Sequence, residues 1–124
     1  NNHSCVLQVN NIKYAILLTG DIEKKAEGAL ISALRNRPET TVLLVPHHGS
    51  RTSSTEAFLK AVKAKLAIVS VALYNSYHLP HPTIQKRYQD FQIPWVTTAE
   101  EGMIHVRCFN RCWQYLTYSK EIFR

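Results

Sequence analysis

No stretch of this chain is apolar for the ~20 residues that a membrane helix needs, and its first residues lack the charged-then-apolar pattern of a signal peptide. Taken as written, the chain is expected to be soluble. Its three cysteines include no Cys-x-x-Cys pair, so neither a zinc ribbon nor a disulfide-built scaffold is expected. Cys108 and Cys112 stand a hairpin loop apart. They read either as a bridge formed in an oxidising compartment or as two small apolar residues at a hairpin mouth. Repeats, low-complexity tracts and linkers are also missing, so no internal domain boundary can be placed.

What is present is 124 residues with 45% hydrophobic content, enough for one modest core and therefore for one domain or a piece of one. A net charge of +6 and a pI near 9.4 fit a polyanionic partner such as DNA, and equally a solvated basic surface.

Apolar runs alternate with helical spacing along the first three quarters of the chain. Cys5–Val9 and Ile12–Thr19 read as a hairpin turned at Asn10-Asn11. Ile22, Ala26, Ala29, Leu30 and Leu34 then recur at helical spacing, with Glu23, Lys24, Lys25 and Glu27 facing away. A strand over Thr41–Pro46 runs into a His-His-Gly-Ser turn and a helix over Thr55–Lys63, with Ser53 or Ser54 as its N-cap. Leu66–Leu73 is the next strand, and Pro82 opens a helix through about Gln92. Trp95–Thr98, Met103–Cys108 and Trp113–Tyr118 follow as three short strands, the first pair turned by Glu100-Glu101-Gly102. The expected fold is α/β (α+β): β-α-β-α-β-α units, then an antiparallel meander.

Chemistry gathers at three strand ends: Asp21, the His47/His48 pair, and the loop from Asn75 to His81. Such ends are where polar side chains leave the core and converge without breaking the sheet. A carboxylate with imidazoles is a ligand set for zinc, manganese or iron. Each piece also has a structural use, since an Asp between strand and helix is a common N-cap and serines at turns are caps.

These residues resemble a known family. Asn2-His3-Ser4 before a strand, Leu17 to Glu23 with its Thr-Gly-Asp, Val45-Pro46-His47-His48-Gly49-Ser50, and Asn75 followed by His81-Pro82 are similar to the C-terminal half of the metallo-β-lactamase-like domain of ComEC-type DNA-uptake proteins. The similarity runs from Asn1 to about Val106. It implies half of an αββα sandwich, two divalent metal ions (manganese or zinc) at one edge, and hydrolysis of the DNA strand that is not transported during natural transformation. It also implies an inner-membrane protein whose channel portion and missing upstream half are partners of this domain, placed outside the cytoplasm. Residue by residue, Asp21 corresponds to the metal-binding aspartate and His47 or His48 to the histidines of the turn, with Asp21 and His48 the catalytic candidates. His81 is a candidate ligand, and Asn2, Ser4, Ser50, Arg51 and Asn75 are candidate substrate-binding residues.

Two departures from the family pattern stand out. The upstream His-x-Asp-x-Asp-His motif is absent from these 124 residues, so the chain reads as a single partial domain. The family's Asn-x-Tyr-Gly-His-Pro is here Asn75-Ser76-Tyr77-His78-Leu79-Pro80, which puts Leu79 at the histidine position. Either His78 or His81 substitutes for that ligand, or it is lost. Three expectations follow: the chain alone has little or no nuclease activity, it leaves apolar sheet surface uncovered and oligomerises or needs its missing half, and a catalytically inactive module that binds or guides DNA or packs on the channel is the alternative to a nuclease.

Overall fold

The computed structural model describes residues 1–109 and 113–118. Strands β1 (Leu7–Asn10) and β2 (Ala15–Leu18) form the first, antiparallel hairpin. Its turn lies one residue later than the Asn10-Asn11 expected, because Asn11 Oδ1 accepts hydrogen bonds from the amides of both Lys13 and Tyr14, at 2.8 Å each. The backbone is thereby drawn into the turn through Tyr14, and the second strand starts late.

From β2 the chain winds through α1 (Lys24–Leu34), β3 (Val42–Leu44), α2 (Glu56–Val62), β4 (Leu66–Val69), α3 (Pro82–Asp90) and β5 (Trp95–Thr97). β2 to β5 are parallel and lie in sequence order, giving a five-stranded sheet β1-β2-β3-β4-β5. A crossover of one hand repeated between neighbours puts α1, α2 and α3 on the same face. There Leu34, Phe58, Leu59, Val62, Ile84 and Tyr88 pack on Leu17, Leu43, Val45, Ala67 and Val69. Strands covered on this scale need unbroken apolar runs, which is what β3 and β4 have.

Three expectations change. Trp95–Thr97 is not the first strand of a meander: Trp95 faces the helices, its ring 4.9 Å from that of Tyr88, and the strand continues the parallel sheet. Thr98–Glu101 is one helical turn, α4, ended at Gly102, instead of a hairpin turn. The strand from Leu66 stops at Val69, so Leu73 is in a loop and 47% exposed.

Only β6 (Met103–Cys108) and β7 (Trp113–Tyr118) pair antiparallel at the end. Ile104, Val106 and Trp113 of this hairpin pack on Val42, Leu66 and Val96, on the sheet face opposite the helices. The cover is partial. Two apolar rows cross that face, Leu7-Leu18-Leu44-Ile68-Val96 and Val9-Ile16-Val42-Leu66. Exposure along them rises from 1% at Leu66 and 9% at Val96 to 54% at Val9 and 56% at Leu7. Cys108 is exposed; a Cys108–Cys112 bridge lies outside the described residues, because Cys112 does.

Candidate functional site at the strand ends

Past β3 the chain enters one tight turn, Pro46–Gly49, in which His47 (φ 49°, ψ 42°) and His48 (φ 54°, ψ 23°) are both left-handed. Each such non-glycine residue costs about 1–2 kcal/mol. Neighbours hold the turn in place: His47 N donates to Gly20 O (3.0 Å), Ser50 N to His47 O (2.9 Å), and Ser53 Oγ to Pro46 O (2.8 Å). The late loop closes over it, with His81 N donating to Gly49 O at 2.9 Å. Pro80 sits so close to Gly49 that a Cβ there would lie 2.7 Å from the Pro80 Cβ, and φ is +79°. This glycine is required by its backbone angle and by its neighbour.

The left-handed turn sends the two imidazoles to different partners. His48 Nδ1 donates to the Ser70 carbonyl oxygen at 2.6 Å, at the end of β4. A carbonyl only accepts, so Nδ1 carries a proton and, in the neutral ring, Nε2 presents its lone pair. That nitrogen lies 3.4 Å from Asp21 Oδ1 at the end of β2. Two acceptors face each other across this gap, and the contact becomes attractive only with a positive charge between them: a second proton on the ring, or a metal ion.

His47 Nδ1 instead lies 3.3 Å from Glu23 Oε1. Thr52 Oγ1 donates to the same oxygen at 3.0 Å, and Asn1 Nδ2 reaches it at 3.3 Å. Hydrogen bonds from Asn1 and Thr52, with His47 adding its field, hold the Glu23 carboxyl below its usual value of 4.5.

The remaining candidates are mostly supports. Asn2 Oδ1 accepts from Ala26 N (3.2 Å) in the first turn of α1, so Asn2 caps that helix across the chain. Ser4 Oγ accepts from Asp21 N at 3.3 Å and fixes the backbone from which the carboxylate projects. Ser50 Oγ and Thr52 Oγ1 are 3.1 Å apart within the turn. Asn75 is fully used by its own loop: its amide donates to Ala72 O and Leu79 O, and its oxygen accepts from Leu79 N. His81 is the N-cap of α3, its Nδ1 accepting from Thr83 N at 3.2 Å. Arg51 is exposed and lines a groove next to the turn. Leu79 lines a cavity of about 390 Å³ together with His48 and Asn75.

Sequence reasoning missed Glu27. Expected on the outer face of α1, it is fully buried, and its carboxyl oxygens accept from Ser54 N, Thr55 N and Thr55 Oγ1, the last two at 2.9 and 2.7 Å. Ser54 Oγ also meets the hydroxyl of buried Tyr88 at 3.0 Å, and Arg87 Nη1 donates to Ser54 O at 2.7 Å. Burial raises the pKa of the Tyr88 phenol, so it serves here as a neutral hydrogen-bonding group. The helix cap is Thr55, not Ser53 or Ser54: its side chain accepts from Phe58 N, while Ser53 and Ser54 are buried and bonded elsewhere. The signal available was Glu27 at helical spacing to Ile31 and Leu34, on the inner stripe.

Asp21 and His48 are spaced as two ligands of one ion would be. A tetrahedral zinc site with bonds of about 2.1 Å sets a nitrogen and an oxygen ligand about 3.4 Å apart, and the Ser70 carbonyl orients the ring as outer partners of metal-bound histidines do. Yet among the described residues no three His, Cys, Asp or Glu side chains group closely enough to hold a metal ion. Two donors do not close a site.

No family model and no solved structure matches the chain. Curated proteins do. It is 38% identical over 122 residues to the uncharacterized protein YcaI of Escherichia coli K12, covering 98% of the chain and 16% of that protein. It is 35% identical over 118 residues to ComE operon protein 3 of Bacillus subtilis 168, covering 95% of the chain and 15% of that protein. To competence protein ComA of Neisseria gonorrhoeae it is 36% identical over 104 residues, covering 84% of the chain and 15% of that protein. Along most of its length the chain is therefore homologous to one segment, about 15% of the whole, of much longer proteins that include competence-related ones.

Proposed function

We propose that this chain is the C-terminal half of a metallo-β-lactamase-like domain in a DNA-uptake protein, and that it supplies Asp21 and His48 to a metal-dependent phosphodiesterase centre completed by upstream residues. The observation that carries this reading is the 3.4 Å approach of His48 Nε2 and Asp21 Oδ1 with the imidazole proton held on the Ser70 side. Relatives named for competence support the DNA-uptake context. The half-covered sheet face, open at Leu7 and Val9, is where the missing half of a sandwich would pack.

Within such a domain the residues of this chain have distinct tasks. Ser4 and Gly20 set the backbone of Asp21, Ser70 fixes the His48 tautomer, and the Glu27 cluster anchors the segment that follows the histidines. Asp21 and His48 would hold a metal ion together with upstream donors, and such an ion would supply a hydroxide nucleophile at neutral pH and offset charge on phosphate oxygens. Arg51 at the rim holds the substrate backbone. The longer protein would sit in the inner membrane with this domain outside the cytoplasm; among the described residues no helix is long and apolar enough to cross a membrane.

A second reading, a domain that binds or guides DNA without cleaving it, is favoured by Leu79 beside His48, where a ligand is expected. Elemental analysis of the longer protein that carries this chain separates the two. About two equivalents of manganese or zinc, reduced in Asp21→Ala and His48→Ala, support the hydrolase; none in a folded protein leaves the binding domain.

A further inference from the structure

On the His47–Glu23 side of the turn, a groove of about 960 Å³ runs between the first turns of α1 and the segment from Arg51 to Glu56. Four cationic side chains line it: Lys24 and Lys25 from α1, Arg51 from the turn, and Arg87 from α3. The two carboxyl groups in its wall are engaged. Glu23 accepts from Thr52 at 3.0 Å and lies 3.3 Å from His47, and Glu56 lies 4.0 Å from Lys60. Arg87 braces the wall through Ser54 O, whereas Lys24, Lys25 and Arg51 are exposed. Four cations against two carboxylates leave the groove with an excess of positive charge.

Gly28 is an independent pointer. It sits inside α1, four residues after Lys24 and three after Lys25, hence on their face of the helix. A Cβ at this position would meet no atom within 4 Å, so neither packing nor backbone angle calls for glycine. Glycine is nonetheless less favourable than alanine inside a helix. At this lining position no side chain reaches into the groove, whose space a long side chain would fill.

We propose that this groove is a second binding site, for the phosphodiester backbone of a nucleic-acid strand whose neighbouring phosphate lies at Asp21 and His48; the inference rests on the DNA reading above. Glu23 and Thr52 join the two places, since both line the groove and both contact His47, the immediate neighbour of His48. Phosphate contacts of this kind set register and orientation without reading sequence.

The test is fluorescence anisotropy of a labelled oligothymidylate of about 12 nucleotides, titrated with the longer protein between about 50 and 200 mM salt. In a Lys24→Gln/Lys25→Gln variant, binding weakens several-fold at low salt, and the slope of log K against log salt becomes shallower by about 1.4, two single-strand phosphate contacts. Gly28→Leu weakens binding several-fold while removing no charge, and Gly28→Ala binds as the parent does. If the parent binds and both the lysine variant and Gly28→Leu bind equally well, the groove is overturned and the DNA reading stands. A parent that does not bind at low salt overturns both. Should Gly28→Leu melt early, the lysine variant alone decides.

Discussion

His48 Nε2 and Asp21 Oδ1 face each other at 3.4 Å, and in the neutral ring both are acceptors, because the other ring nitrogen is tied to the Ser70 carbonyl. A hydrogen bond between protonated imidazole and carboxylate would close to about 2.7–3.2 Å. The longer distance would suit two ligands of one ion, as the hydrolase reading requires. Leu79 lies in the same cavity as His48, so a donor introduced there is expected to join the pair. Leu79→His in the longer protein should tighten zinc or manganese binding by at least about tenfold, the scale on which even supporting groups act. Competition against a chromophoric chelator reads this directly. Unchanged affinity would mean that position 79 does not address the site.

The Glu27 carboxyl accepts three hydrogen bonds from Ser54 and Thr55 while fully buried. Glu27→Ala strands those donors and opens a cavity, at a cost of about 3 kcal/mol. Glu27→Gln keeps the volume but turns an amide NH2 toward a donor, for about 1–3 kcal/mol. Both variants should also make the segment after His48 more sensitive to protease. Denaturant melts and limited proteolysis check the pair. A Glu27→Ala variant as stable as the parent would contradict the buried network.

Parts of this molecule were legible because one physical rule dominated each. β3 and β4 are continuous apolar runs, buried on the helix face and largely covered on the other, and Pro82 with its preceding cap opens α3 where such residues do. Thr-Gly-Asp and Pro-His-His-Gly-Ser placed Asp21 and His48 at adjacent strand ends, where they meet. Other parts depended on contacts far apart in the chain. Glu27 reads as a surface residue by its charge, and only Ser54 and Thr55, supplied 27 and 28 positions later, make its burial tolerable. Asn75 reads as a ligand-binding polar residue, whereas its amide is fully occupied by its own loop. Trp95–Thr97 has strand composition, but its pairing depends on a parallel neighbour that periodicity does not identify.

The left-handed backbone of His47 gives a prediction about order as well as size. His47→Ala loses the contacts to Glu23 and Thr52 and keeps the backbone penalty. His47→Gly loses the same contacts and removes much of the penalty. The glycine variant should therefore be more stable than the alanine variant by about 1 kcal/mol. Equilibrium unfolding of the two settles the order. The reverse order would argue that this residue is not held in the left-handed region.

Apolar rows on the sheet face opposite the helices end at Leu7 and Val9, 56% and 54% exposed, on β1, which is also an open edge of the sheet. An uncovered face beside an unpaired edge is a site of association. The 124-residue chain alone should self-associate, and Leu7→Lys with Val9→Lys should shift it toward monomer in sedimentation velocity. If the missing half covers this face in the longer protein, the same two lysines must be buried there and lower its melting temperature by several degrees, since each desolvated charge costs several kcal/mol. On that reading the two measurements move in opposite directions for one reason: the surface would be exposed in the piece and buried in the whole. A monomeric chain, with no loss of stability from the lysines in the longer protein, would show that nothing covers the Leu7–Val9 end of this face.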